Sequence, residues 1–228
     1  MKNEMTNHRH RRLGRPPKSE AIDTQQAILD AARNLFARQG FAGTSIRHIT
    51  RAVQISEAAF YAHFTSKDEL FQVMLQEGGP TNIQFLLARS IEERPDLMDE
   101  PTGFLREFVR RVLERWAEPP ARQYISIFLR EGLVDPSTNN NTEFIASIHQ
   151  ALQQLGGLFQ KWMKTGMLRD DVSSQMLAWE FLSPMIHARL LWMHWQTTEE
   201  VFQEGQQLIR NHLEYFLQMA LRLQNEED

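Results

Sequence analysis

The sequence predicts an all-α protein made of two parts, and two observations support this fold class. Apolar residues recur at three- and four-residue spacing along most of the chain, and strand-like alternation between turn residues is missing. Glycine and proline fall mostly between these amphipathic runs, where they end helices. The chain has 228 residues, of which 42% are hydrophobic, so it is long enough to bury a core.

The first element, residues 1–20, is a basic arm without apolar periodicity, which predicts a disordered or extended segment. A helix is predicted from Asp23, where apolar residues begin to recur at helical spacing. Gly40 follows the last of them and provides a C-terminal stop.

Two short helices and a tight turn come next. Thr44 or Ser45 can cap the first short helix, and Ser56 caps the second after a four-residue turn. Ser66, with Glu69 three residues later, forms a capping box for a longer helix. This order of elements outlines a helix-turn-helix.

The remainder of the chain is predicted to form six further helices. They lie near residues 81–93, 102–117, 120–133, 142–165, 173–195 and 198–223. Gly156 and Gly157 stand inside the fourth of these patterns, at a cost of about 1 kcal/mol each. Either they allow close helix packing or the helix breaks there, and packing is the favoured interpretation.

Charge divides the chain in the same way as the helices do. Residues 1–67 contain 11 Lys and Arg against 5 Asp and Glu, whereas the remaining residues contain 14 against 24. A basic N-terminal third on an acidic body indicates a module for binding polyanions such as nucleic acid. The absence of cysteine excludes disulfides and thiolate chemistry. Without a signal peptide or a membrane-length apolar run, the expected location is the cytoplasm, with no membrane partner.

A longer motif lies within residues 24–71. It comprises Gly40-Phe41-Ala42-Gly43-Thr44-Ser45-Ile46, Phe60-Tyr61-Ala62-His63-Phe64 and Ser66-Lys67-Asp68-Glu69-Leu70. This stretch resembles the DNA-binding domain of the TetR/AcrR family of transcriptional repressors. The resemblance implies a helix-turn-helix domain over residues 21–72 and a ligand-binding and dimerisation domain over residues 73–228. Gln54 and Ala58 depart from the family pattern, which usually has glycine there, and Gln54 would be strained if its φ is positive.

In helix-turn-helix geometry, the second helix enters the major groove with its N-terminus first. Glu57, Ala58 and Ala59 occupy that first turn, where the alanines can contact thymine methyl groups. Glu57 can accept from a cytosine amino group, or it can favour the helix dipole without touching a base. Arg47 matches a family position that reaches a base or a phosphate.

Polar residues around this helix complete the predicted DNA contacts. Tyr61 and His63 either contact phosphates or pack between helices, and the resemblance favours phosphates. The residues that flank the groove are Thr44, Ser45, Ser56, Tyr61, His63 and Lys67. Arg15 and Lys18 in the arm are similar to an AT-hook, which follows the minor groove, but a generic cationic tail is the slightly favoured interpretation.

The last two predicted helices carry the expected homodimer contacts. Residues 176–195 are apolar on nearly every side, which predicts one face on the core and one on another subunit. In the family these two helices form a four-helix bundle with the partner. The expected interface residues are Leu182, Leu190, Ile209, Leu213, Phe216 and Ala220.

The aromatic residues of the acidic body predict a pocket for a small apolar effector. The expected lining residues are Trp116, Phe128, Trp179 and His187. Glu180 or Glu131 could orient a weakly cationic ligand. Glu180, His187 and His194 are seven residues apart, too far along a helix for one metal ion. No metal and no cofactor are predicted.

These observations predict a DNA-binding regulator, most simply a repressor that an effector releases from a palindromic operator. Two alternatives remain open, an architectural DNA-binding protein without an effector and a helical enzyme fused to a DNA-binding module. The enzyme reading lacks support, because the sequence has no His-Glu-x-x-His, no Gly-x-Ser-x-Gly and no phosphate-binding glycine loop. No catalytic residue is therefore predicted.

Overall fold

A computed structural model describes residues 18–78, 81–130 and 140–221, and within these ranges the chain is helical. A 3₁₀ turn spans Pro95–Leu97, and the described residues form no strand, only an isolated bridge between Leu168 and Leu221. The helices are α1 (Lys18–Gln39), α2 (Ile46–Val53), α3 (Glu57–Tyr61), α4 (Lys67–Gly78), α5 (Thr81–Glu93), α6 (Pro101–Ala117), α7 (Pro119–Arg130), α8 (Asn140–Lys164), α9 (Ser174–Trp192) and α10 (Glu199–Ala220). The all-α prediction is confirmed, and none of the described helices is both long and apolar enough to cross a membrane.

The first described helix begins inside the segment that was predicted to be an arm. Helix α1 begins at Lys18, so residues 18–20 are helical and the arm boundary at residue 20 was wrong. Arg15, the other predicted minor-groove residue, lies outside the described residues, as does Glu131.

The first hydrophobic core joins α1 to α4 and also includes α7. Ile28, Phe36, Ile49, Phe60, Phe64 and Leu70 are buried in it, and Ile46 packs against it half-buried. Tyr124, Ile125 and Phe128 of α7 belong to the same cluster. Helix α4 also runs through residue 72 without a break, so the two parts of the chain share both a helix and a core.

The second core fills the body with aromatic rings. Phe159 and Phe216 lie 5.9 Å apart between ring centroids, and Phe181 and Phe216 lie 5.1 Å apart. Trp162 packs on Phe159 and donates from Nε1 to the carbonyl of Met98 at 2.6 Å. These rings therefore stabilise the body by packing on one another.

Two of the predicted helix stops are visible in the backbone. Gly40 ends α1 with a φ of 79°, and Gln54 ends α2 with φ 60° and ψ 40°. The sequence left the sign of φ at Gln54 open, and the structure shows that it is positive. Helix α8 is continuous through its two glycines, where a Cβ on Gly156 would meet Gln175 but one on Gly157 would meet nothing within 4 Å. Of the two glycines, only Gly156 thus allows a close contact with a neighbouring side chain, as the packing interpretation predicts.

Helices α9 and α10 pack against each other closely. A Cβ at Gly205 would lie 2.5 Å from the Cβ of Trp192, so only glycine fits at this crossing. The residues expected at the dimer interface are in the monomer core instead: Leu182, Ile209, Leu213, Phe216 and Ala220 are buried, and Leu190 is half-buried. That part of the sequence prediction was wrong, because periodicity cannot distinguish the inner face of a helix that is apolar all round.

A different set of apolar residues on these two helices remains exposed. We call it the α9/α10 apolar face, and it comprises Met176, Trp179, Leu191, Leu208, Tyr215 and Met219. Six large apolar side chains on one pair of helices are more than a soluble monomer usually leaves uncovered in one place.

Candidate nucleic-acid interface

Helix α2 begins with a reciprocal cap between Ser45 and His48. Ser45 Oγ accepts from the His48 backbone N–H at 3.2 Å, and His48 Nδ1 accepts from the Ser45 N–H at 3.4 Å. With Nδ1 as the acceptor, the neutral ring carries its proton on Nε2. Ser45, rather than Thr44, is therefore the N-cap of α2. Ser45 and His48 are both exposed to solvent at this end of the helix.

The turn between α2 and α3 is fixed by two residues. Gln54 adopts the left-handed conformation and donates its N–H to the carbonyl of Arg51 at 3.3 Å. Ser56 then caps α3, with Oγ accepting from the N–H of Ala59 at 3.1 Å. These local bonds set the direction in which α3 leaves the turn.

The face formed by α2 and α3 is open to solvent. Arg47, Glu57 and Ala58 are exposed, and Ala59 and His63 are half-buried. Tyr61 is 53% exposed and rests edge-on against Phe60, with ring centroids 5.5 Å apart. The tyrosine hydroxyl is therefore not enclosed between helices, which agrees with a surface role.

Two of the residues predicted to contact phosphates form hydrogen bonds within the fold. Thr44 is only 1% exposed, and its hydroxyl donates to the carbonyl of Gly40 at 2.8 Å. Lys67 Nζ donates to the carbonyls of Phe41 and Thr44, both at 2.8 Å, and lies 4.0 Å from the Phe41 ring centre. The prediction for Thr44 was wrong, because its buried hydroxyl cannot reach a phosphate. Lys67 uses two of its three N–H donors to hold the α1–α2 loop against the start of α4, and its phosphate contact stays a prediction.

Sequence reasoning missed two exposed residues on the same face, Arg51 and His48. Arg51 follows Arg47 by four residues, so both side chains lie on one side of α2. That spacing was the available signal. A pair of arginines in this position supplies two donors that can pair bidentately with phosphate or guanine.

The four predicted effector residues do not all line one pocket, because two are buried and two are exposed. Phe128 is buried in the first core and stacks on Tyr124 at 6.4 Å, while Trp116 is buried under the guanidinium of Arg189. Trp179 is 53% exposed, so it lines no interior pocket. His187 is also exposed, and both assignments to an interior pocket were wrong because these side chains point to the outer side of α9.

His187 lies instead on a surface groove of about 480 Å³ within the α9/α10 apolar face. Its lining residues are Ser183, Pro184, His187, Ala188, Trp192, Leu208 and His212. Glu180 is exposed on the same side of α9 and borders a second groove. Within the described part of the chain, no three His, Cys, Asp or Glu side chains are grouped so that they could hold a metal ion.

The helix-turn-helix residues match a known family of regulatory proteins. Residues 28–74 match the model described as bacterial regulatory proteins, tetR family. The chain is similar to the HTH-type transcriptional regulator AcrR of Shigella flexneri, with 36% identity over 102 residues. That alignment covers 45% of this chain and 46% of AcrR, so the chain spans about half the length of this relative.

Solved structures extend the likeness in fold over nearly the whole chain. SmeT of Stenotrophomonas maltophilia, in a complex with triclosan, superposes with a TM-score of 0.69 at 20% identity, over 89% of this chain and 93% of that one. NalD of Pseudomonas aeruginosa, a repressor of an efflux pump, superposes with a TM-score of 0.67 at 19% identity, over 90% of this chain and 100% of that one. The matched helix-turn-helix residues, the regulators that the chain resembles and the shared fold together support the TetR/AcrR family.

Proposed function

We propose that this protein is a transcriptional repressor that binds a palindromic operator as a homodimer and is released by a small effector. The exposed face of α2 and α3 carries the proposal. Arg47, Arg51 and the first turn of α3 share that face, and Ser56 and Gln54 fix its geometry. The names of the relatives, which are regulators and repressors, support regulation over catalysis.

Helices α2 and α3 contact different parts of the DNA in this proposal. Helix α3 enters the major groove, where Glu57, Ala58 and Ala59 lie nearest the base edges. Arg47 and Arg51 approach the groove from α2, and Ser45 and Tyr61 contact phosphates at its sides. Lys67 positions the loop with two of its three N–H donors, which leaves one donor for a phosphate.

A homodimer follows from the α9/α10 apolar face. Trp179 on α9 and Tyr215 on α10 are 53% and 62% exposed, and both rings would be covered if this face packed against a second copy. In a dimer with a two-fold axis through this face, each protomer presents one α3 helix to one half-site of the operator. The two half-sites would then lie about one DNA turn apart, roughly 34–36 Å. Dimerisation is thus the step that converts a weak half-site contact into operator binding.

Helix α7 provides the connection between the body and the DNA-binding domain. Gln123 of α7 is buried and donates from Nε2 to Asn34 Oδ1 of α1 at 2.6 Å. Tyr124, Ile125 and Phe128 extend the first core from the same helix. An effector that shifts α7 would therefore move the DNA-binding domain as well. To invert a 1:99 balance, the effector must prefer the released state by about 5.5 kcal/mol.

The test begins by selecting bound sequences from random DNA and measuring affinity by fluorescence anisotropy across salt concentrations. We expect one short palindrome. Arg47→Ala and Arg51→Ala should each weaken binding by about 1–3 kcal/mol if they read bases, or flatten the salt dependence by about one unit if they contact phosphates. Arg89→Ala on α5 is the matched control, since Arg89 is equally exposed but lies outside α1–α4.

Two results would contradict the proposal. Protection of long DNA stretches without sequence preference would favour the architectural alternative. Equal loss of affinity in Arg89→Ala and in the two α2 variants would mean that binding depends on total charge and not on this face.

A further inference from the structure

Arg189 of α9 is a buried cation, and no carboxylate of the described residues pairs with it. Its side chain is only 3% exposed, and its guanidinium lies over the ring of Trp116, 4.6 Å from the ring centre. Among the described residues, no acidic side chain forms a salt bridge with it, and its Nη2 has no hydrogen-bond partner. Trp116 Nε1 is likewise buried without an acceptor.

This arrangement is unfavourable for the protein alone. Burial lowers the pKa of Arg189 to about 9, and the neighbouring positive charge of Arg115 acts in the same direction. The guanidinium is still a cation at neutral pH. A buried charge normally requires an opposite charge and full hydrogen bonding, and neither is provided by the described residues.

The geometry of the stacked pair indicates what would satisfy it. A guanidinium carries its N–H donors in its own plane, at the rim, whichever way it meets the ring beneath it. That rim matches the two oxygens of a carboxylate. An ordered water could accept from one N–H but would leave the charge uncompensated.

We propose that Arg189 recognises an anionic group of the effector, with the effector's apolar part against the aromatic residues beside it. The Trp116 ring lies beside the guanidinium and Tyr124 acts on its charge, so the effector class is an aromatic or alicyclic acid. This inference rests on the proposed function for its regulatory meaning. It also replaces the expected weakly cationic ligand, because Glu180 faces the outer side of α9 and Arg189 faces the interior.

The location explains how the anion would act on DNA binding. Trp116 belongs to the last turns of α6, and Tyr124 lies on α7 within the first core. An anion drawn to Arg189 would therefore bind where the body meets α7, which holds α1 through Gln123 and Asn34. The charge that recognises the ligand and the helix that moves the DNA-binding domain are in contact.

The experiment uses the full chain and matched probes that differ only in charge. The probes are 2-naphthoate, cyclohexanecarboxylate and salicylate, each with its neutral amide. Binding is measured by calorimetry and by thermal shift in wild type, Arg189→Met, Arg189→Lys and Arg122→Met. Arg122 is the matched control, because it also stacks on a ring, that of Phe202, but has Glu199 at 3.6 Å.

We expect wild type to bind at least one acid more than tenfold tighter than its amide. Arg189→Met should remove this preference, Arg189→Lys should retain part of it, and Arg122→Met should leave it unchanged. Arg189→Met is expected to fold at least as stably as wild type, since it replaces an unpaired buried charge with an apolar chain of similar length.

The inference is overturned if no acid is preferred over its amide, or if Arg189→Met binds the acids as wild type does. In either case operator binding by wild type would still stand, which separates this inference from the proposed function. Conversely, acid binding that depends on Arg189 in a protein without a specific operator would retain the anion site and reject the repressor.

Discussion

Truncation of Trp179 tests whether the α9/α10 apolar face is the dimer interface. Trp179 is 53% exposed, so roughly 120 Å² of its surface remains to be covered by a partner. At about 25 cal/mol per Å², covering it contributes about 3 kcal/mol per protomer, which is an upper value for association. Two copies related by a two-fold axis bring the limit to about 6 kcal/mol, or roughly 10⁴ in the dimer dissociation constant.

Sedimentation velocity over a range of protein concentrations measures this change directly. We expect Trp179→Ala to dissociate at concentrations where wild type is dimeric, with an unchanged melting temperature at low concentration. The matched control is Phe85→Ala on α5, because Phe85 is 61% exposed but lies away from the face. Leu213→Glu would not serve as a test, since Leu213 is buried and a charge there would unfold the monomer.

The reasoning fails if Trp179→Ala and wild type dissociate at the same concentration, or if Phe85→Ala dissociates as readily. Loss of operator affinity without loss of the dimer would also contradict it, because the face is assigned to association and not to DNA contact.

Three further predictions concern stability and are checked by thermal and denaturant unfolding. Gln54→Gly should stabilise the protein by about 0.5–1 kcal/mol. Glycine removes the strain of a left-handed residue, and this gain is partly offset by the greater freedom of glycine in the unfolded state. A loss of stability would mean that the glutamine side chain contributes more than the strain costs. Gly157→Ala should stabilise α8 by about 0.5–1 kcal/mol, whereas Gly156→Ala should not, since its Cβ would meet Gln175; equal effects would contradict the packing assignment. Two arginines on α6 lower the pKa of Glu107 from 4.5 to about 2. The ionised carboxylate therefore contributes about 1–3 kcal/mol to the free energy of unfolding above pH 4.5, and this contribution is lost as the pH falls toward 2. Glu107→Gln should destabilise the protein at pH 7 and have no effect near pH 2.

The local structure of the DNA-binding domain could be predicted from the sequence because its signals act over a few residues. Ser45 and Ser56 cap the helices that follow them, and Gly40 ends α1 where the periodicity stops. A cap needs only an oxygen within three residues of an unpaired N–H, so spacing along the chain is sufficient to locate it. For Gln54, the glycine that the family pattern usually has at this position made a positive φ conceivable, and the structure shows it.

Side-chain roles that depend on distant partners could not be predicted in this way. Lys67 has the charge of a phosphate contact, but the carbonyls it binds are 26 and 23 residues away in the sequence. Thr44 is equally polar in the sequence, yet the fold of the α1–α2 loop buries its hydroxyl against Gly40.

The sequence by itself determined that the chain is helical, where most helices begin and end, and that its N-terminal third is suited to DNA. Tertiary structure decided which sides of α9 and α10 are inside, because Trp179 and Phe181 are equally apolar and only the packing of neighbouring helices separates them. It also decided that Arg189 is enclosed without a counter-charge. Periodicity and caps are properties of one helix, whereas burial and charge compensation depend on what every other helix places beside it.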